Sequence, residues 1–156
     1  PNHHKVSGFQ VFGTGAAWHG WMPLADRLKV RLFWHLLGPL TWLLGYCPGK
    51  RLMLGEDLPA DAFRQWRRWC TDRRSLPGDA SLPVPERPGL TCPLKLVALA
   101  DDVMIPPQAV WRLGAWMPGA TIRHQLLTPA DFGLEAVGHI GAFAPANRAL
   151  WPALID

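Results

Sequence analysis

Serine is nearly absent from this chain. Only Ser7, Ser75 and Ser81 occur in 156 residues. None stands in a Gly-x-Ser-x-Gly surround, which excludes a nucleophile presented on a sharp strand-to-helix turn within this sequence. Cysteine is equally sparse. Cys47, Cys70 and Cys92 are widely spaced and odd in number. They form no Cys-x-x-Cys pair, which argues against a thiolate metal site and a dithiol redox site. Free thiols in a reducing, cytoplasmic compartment are expected. An uninterrupted apolar run is also missing. Residues 30–46 come nearest, but Arg31, His35 and Gly38-Pro39 interrupt them. A bilayer crossing takes about 20 predominantly apolar residues, so no transmembrane span is expected. The first residues, Pro1-Asn2-His3-His4-Lys5, lack the basic start and apolar stretch of a secretory signal. A start without methionine reads as a processed or truncated one.

What is present is apolar and aromatic. Nearly half of the residues are hydrophobic and nine are tryptophan. That amount of apolar surface suits a packed domain and not a disordered one. The formal net charge of +4 is modest and gives no ground for a nucleic-acid partner. Sixteen prolines and fifteen glycines punctuate the chain without forming tracts.

Residues 6–12 read as a strand running into Gly13-Thr14-Gly15, a turn signal. Leu28, Leu32, Phe33 and Leu36 recur at helical spacing within residues 26–37, and Gly38-Pro39 is expected to end that helix. Leu58-Pro59-Ala60-Asp61 looks like a helix start, and Phe63, Trp66 and Cys70 mark one apolar face after it. The proline-rich residues 75–93 read as a surface loop. Residues 94–100 form a continuous apolar run, as expected of a strand covered on both faces of a parallel sheet. A helix over 107–116, a strand over 120–127, a loop over 128–141 and a short helix over 147–155 complete the reading. The order is that of an α/β fold with parallel strands. Residues 26–74 are expected to be mainly helical and to add no strand to the sheet.

Chemistry concentrates in two places. The apolar strand at 94–100 ends in Asp101 and Asp102, and His139 follows Asp102 by thirty-seven residues, inside Val137-Gly138-His139-Ile140-Gly141. Carboxyl ends of parallel strands are where ligands and catalytic groups collect. A carboxylate that accepts the Nδ1 proton of a histidine fixes its tautomer and frees Nε2 to act as a base. The bland alternatives are a helix N-cap for the aspartates and a surface-loop position for the histidine. Arg64, Arg67, Arg68, Arg73 and Arg74 alternate with Trp66 and Trp69. With Glu56, Asp57, Asp61 and Asp72 near by, they read as the solvated face of an amphipathic helix. His3 and His4 are adjacent on an extended segment, point apart and suggest no metal site.

The segment from Ala100 to Val110 resembles the acid loop of α/β-hydrolases, in which the acid is followed four residues on by proline. Asp102 fits that spacing with Pro106, and Asp101 does not. The segment from Val137 to Phe143 resembles the histidine loop of the same family. The stretch from Pro48 to Pro59, with Phe63 to Cys70 after it, resembles the helical insertion of bacterial, predicted serine-aminopeptidase-like α/β-hydrolases. The resemblance covers essentially the whole chain. It implies the carboxyl-terminal part of one such domain over 1–156, with a helical cap insertion at about 20–75. The three strands would be the last three of eight, and the serine and oxyanion-hole amides would lie upstream of Pro1. It implies a serine hydrolase acting on an ester or amide acyl bond of a small-molecule substrate, without a cofactor. Asp102 and His139 would be catalytic, and Trp18, Trp21, Trp34 and Trp42 would form an apolar acyl pocket. The chain alone is expected to be inactive, and to self-associate through the strand edge left open at residues 6–12. The competing expectation is a non-catalytic protein that binds a partner or a membrane surface through the tryptophan-rich segment from Trp18 to Tyr46, with Arg27, Lys29 and Arg31.

Overall fold

A computed structural model of the protein describes residues 5–52, 54–82 and 90–155. The His3-His4 pair lies outside the described residues, as does the part of the proline-rich loop that holds Pro83, Pro85 and Pro88-Gly89. Two compact units emerge, one formed by Ala17–Ser81 and the other by the described residues on either side of it.

The flanking unit is α/β. Strands β1 (Phe9–Phe12), β4 (Leu94–Leu99) and β5 (Ile122–Leu127) form a parallel sheet in the order β1-β4-β5. Phe9 pairs with Leu94, and the β4–β5 register runs from Leu94↔Ile122 to Leu99↔Leu127. The central strand is buried at every position but Lys95. Its alternate residues leave the sheet on opposite sides. Leu94, Leu96 and Ala98 pack with Val110 and Leu113, from helix α3 (Pro107–Arg112) and the 3-10 turn after it. Val97 and Leu99 pack with Leu127, Val137, Ala142 and Leu150 on the other face. Both faces of β4 are therefore covered, which is why its sequence is a continuous apolar run and not an alternation. Gly15 lets the exit of β1 approach α3. The Ala16 N–H donates to the Ala109 carbonyl at 2.8 Å, and a Cβ on Gly15 would lie 2.8 Å from the Ala109 carbonyl carbon.

The Ala17–Ser81 unit is mainly helical. Helix α1 (Leu24–Leu44) and helix α2 (Ala60–Thr71) are joined through a two-residue antiparallel ladder, β2 (Tyr46–Cys47) with β3 (Leu58–Pro59). The unit adds no strand to the parallel sheet. Its core holds Trp34, Leu37, Cys47, Phe63 and Cys70. Trp34 meets Phe33, Phe63 and Trp66 at ring separations of 4.8, 5.5 and 4.8 Å. The three apolar positions read from the α2 sequence all join this core, Phe63 and Cys70 buried and Trp66 partly so.

The structure corrects several boundaries. Gly38-Pro39 does not end α1, which continues to Leu44 with Pro39 inside it. Proline disfavours a helical residue before it through the Cβ and N–H of that residue. Glycine at 38 removes the Cβ part of the clash. Leu37 and Thr41 are buried on either side of Pro39, and Pro39 itself is exposed. Packing of that face outweighs the lost backbone hydrogen bond. His139 stands in a helical turn, α4 (Gly138–Gly141), and not in a loop. The last segment is a 3-10 stretch, Pro145–Leu150, leading into helix α5 (Trp151–Ile155).

Among the described residues, no helix is long and apolar enough to cross a membrane. No group of three or more His, Cys, Asp or Glu among them is arranged to hold a metal ion.

Candidate functional site

Beyond Leu99 the central strand turns, and its two aspartates take separate tasks. Asp102 is 4% exposed. Its Oδ1 accepts the backbone N–H groups of Met104 at 2.9 Å and Ile105 at 2.8 Å. This carboxylate-capped turn delivers the chain to Pro106 and the start of α3. The four-residue spacing from acid to proline is the length of that turn. The other oxygen, Oδ2, lies 2.9 Å from Nδ1 of His139. A carboxylate only accepts, so Nδ1 donates and the other ring nitrogen, Nε2, is left as the basic one. The His139 side chain is 30% exposed.

Asp101, which the four-residue spacing had set aside, holds the backbone that carries His139. Its Oδ2 accepts the N–H groups of Val137 at 2.7 Å and Gly138 at 2.9 Å. Gly138 has φ +65°, a left-handed conformation that disfavours other residues. Val137 and Ala142 are buried on either side of the histidine and anchor the turn to the sheet. Adjacent carboxylates thus fix the ring and its backbone from one strand end. Apolar, exposed side chains flank the pair in sequence: Val103 and Met104 after the acid, Ile140 and Phe143 after the histidine.

Truncating Asp101 is expected to loosen this turn. Asp101→Ala unpairs two N–H groups that a charged acceptor now satisfies, a loss of about 2–3 kcal/mol. Urea denaturation reads that loss, and amide hydrogen exchange should show faster exchange at Val137 and Gly138 specifically. Unchanged protection at both amides would contradict it.

The four tryptophans expected in an acyl pocket are placed differently from one another. Trp18 and Trp21 meet edge to face at 5.1 Å. Trp34 is in the helical core, at 3% exposure, and Trp42 is 79% exposed on α1.

The arginine-rich stretch of α2 and the residues after it is largely paired with acids. Arg64 meets Asp61 at 2.6 Å, and Arg74 meets Asp72 at 2.8 Å. Asp79, which the sequence alone did not single out, accepts from Ser81 Oγ at 2.6 Å and Trp69 Nε1 at 2.7 Å, with Arg68 at 3.5 Å. The Ser81 hydroxyl, with further help from the Ser81 backbone N–H, Trp69 and Arg68, holds the Asp79 carboxyl down to about 2. A lowered carboxylate pKa stabilises the fold above its ordinary value of 3.8, and that stabilisation is lost as pH falls through about 2. These groups line an open cleft of about 750 Å³ with Trp18 and Arg73, whose guanidinium lies 5.7 Å from the Trp18 ring centre. Matched charges of this kind agree with a solvated helix face.

All three cysteines are free thiols. Burial pushes Cys70 up to about 12 and raises Cys47 as well. Neither carries the thiolate that nucleophilic attack needs.

No protein-family model, no curated protein and no solved structure matches the chain.

Proposed function

We propose that this chain carries the acid and the base of a serine hydrolase of the α/β-hydrolase type, acting on an ester or amide acyl bond of a small-molecule substrate. The observation that carries this reading is the 2.9 Å contact between Asp102 Oδ2 and His139 Nδ1, formed by a buried carboxylate at the carboxyl end of a parallel strand. In the reaction, His139 Nε2 takes the proton of the attacking hydroxyl and returns it to the leaving group. Asp102 keeps the ring in the tautomer with Nδ1 protonated and stabilises the imidazolium that forms. The three free thiols fit a cytoplasmic place.

The serines of this chain are poorly suited to be the nucleophile. Ser7 precedes β1 at the amino end of the sheet. The Phe9↔Leu94 register therefore sets it on the order of 20 Å from Asp102 along the strands. Ser75 is 2% exposed, and its Oγ accepts the Ala17 N–H. Ser81 Oγ donates to Asp79. Cys92, just before β4, sits at the same wrong end as Ser7. In this reading the nucleophile and its oxyanion hole come from sequence outside these 156 residues.

A fluorophosphonate probe, which reacts with activated serines, tests the proposal. The protein expressed together with its flanking coding sequence should be labelled, and its His139→Ala variant should not. The 156-residue chain alone should remain unlabelled and should hydrolyse p-nitrophenyl esters no faster than its own His139→Ala variant. Labelling that is indifferent to His139→Ala overturns the base assignment. Robust, His139-dependent hydrolysis by the chain alone overturns the placement of the nucleophile outside it.

A further inference from the structure

Helix α1 shows solvent an apolar face that the helical unit does not use. Its twenty-one residues span about 31 Å. Trp34, Leu37 and Thr41 are the buried residues. On the far side, Leu24, Leu28, Leu32 and Leu36 recur every fourth residue, each 57–63% exposed. Trp42 at 79% and Leu43 at 74% continue the same face. At 100° per residue, these six side chains fall within an arc of about 120°. His35 is the only titratable residue inside that arc. A ridge of large exposed apolar side chains on one helix marks a surface that is meant to be covered.

Charge says what covers it. Arg31 stands about 20° outside one border of the arc and Lys29 about 20° outside the other, with Arg27 further round on the Arg31 side. Asp26 is the only acidic residue between positions 24 and 55, and it pairs with Lys29 at 3.0 Å. An apolar stripe bordered on both sides by long cations is the pattern of a helix lying in a membrane interface. The leucines enter the acyl boundary, and the cations extend outward to phosphate. A second copy docked through the same helix would offer the same stripe and, on α1, no carboxylate but Asp26 to meet the cations. An anionic bilayer offers hydrocarbon and negative charge together. α1 is long enough to cross a bilayer but not apolar enough, so a crossing helix is excluded. We propose that α1 binds the surface of anionic lipid membranes, its axis in the membrane plane and its Leu24–Leu28–Leu32–Leu36 ridge immersed. This inference does not rest on the Asp102–His139 chemistry.

Vesicle flotation tests it, since bound chain rises with lipid and any aggregated chain sinks. The 156-residue chain should float with vesicles of phosphatidylcholine and phosphatidylglycerol in equal parts, and poorly with phosphatidylcholine alone. Arg27→Gln with Arg31→Gln should weaken binding by about fivefold for each charge removed. Leu28→Glu with Leu32→Glu should abolish flotation, and an unchanged circular dichroism spectrum would show that the helix persists, as both side chains are exposed. Brominated lipid should quench part of the tryptophan emission, and Trp42→Phe should remove that part. Equal flotation on both vesicle types, or none on either, overturns the proposal. A dimer in light scattering that Leu28→Glu with Leu32→Glu dissociates, without lipid binding by the parent chain, assigns the ridge to a second copy and overturns it too.

Discussion

The Asp102→Asn variant is expected to turn His139 over to its other neutral tautomer. The reason lies in the two N–H groups that Asp102 Oδ1 accepts, from Met104 and Ile105. An asparagine must keep its carbonyl oxygen on those donors, because its amide nitrogen cannot accept them. The amide NH₂ then faces Nδ1 of His139, where Oδ2 now accepts. Nδ1 becomes the acceptor, and the proton moves to Nε2, the nitrogen that a general base needs empty. Nitrogen-15 chemical shifts of the imidazole ring read this exchange in the 156-residue chain itself, with no activity required. In the proposed reaction the same change should lower kcat/KM by about 10⁴-fold while leaving the geometry intact. If His139 keeps its proton on Nδ1 in the Asp102→Asn variant, the two carboxylate oxygens do not divide the work as described. If the tautomer changes while hydrolysis by the longer protein does not, the contact stands and the catalytic reading falls.

The turn-capping half of Asp102's task is legible in the sequence because it is local, whereas its contact with His139 spans thirty-seven residues and shows only as the matching acid and histidine motifs. The Asp102 carboxylate reaches the N–H groups two and three residues on, and the proline that follows that turn appears in the sequence as the four-residue spacing to Pro106. The task of Asp101 was not legible in the same way. Its partners, Val137 and Gly138, are thirty-six and thirty-seven residues away. Nothing in a window around Asp101 announces them. The available signal was the doublet itself, two carboxylates at the end of a buried strand where one suffices for a turn, together with a glycine before the histidine. Asp79 was missed for a related reason. It sits in a proline-rich stretch that reads as a loop, and its partner Trp69 comes from α2 across a turn of the chain.

The fold divides along the same line. The both-faces burial of β4 and the single apolar face of α2 are one-dimensional patterns, so periodicity finds them. Continuity of α1 through Gly38-Pro39 is a contest between a local cost and distant packing, and the local rule alone predicts the wrong winner. The ladder between β2 and β3 is only two residues long on each side, too short for any periodicity to register. The tryptophans show the limit most directly. Trp34 and Trp42 lie eight residues apart in one helix, equally apolar as sequence, and only the position of α2 decides which of them is inside.

That decision has a large expected consequence for stability. Trp34→Ala should destabilise the chain by about 3–5 kcal/mol, and Phe63→Ala by a similar amount. Both side chains are essentially buried, at 3% and 0% exposure, and each removes an aromatic partner from the other at 5.5 Å. Because the two share one cavity, the double variant should cost less than the sum of the single losses. Trp42→Ala, on the same helix, should change stability by no more than about 0.5 kcal/mol, as exposed positions usually do. Urea unfolding of the four variants, followed by circular dichroism at the helical band, measures the contrast. Equal losses at Trp34 and Trp42 would mean that the exposed face of α1 is covered within the chain in solution. The lipid-binding surface would then not be free, and the two experiments would fail together.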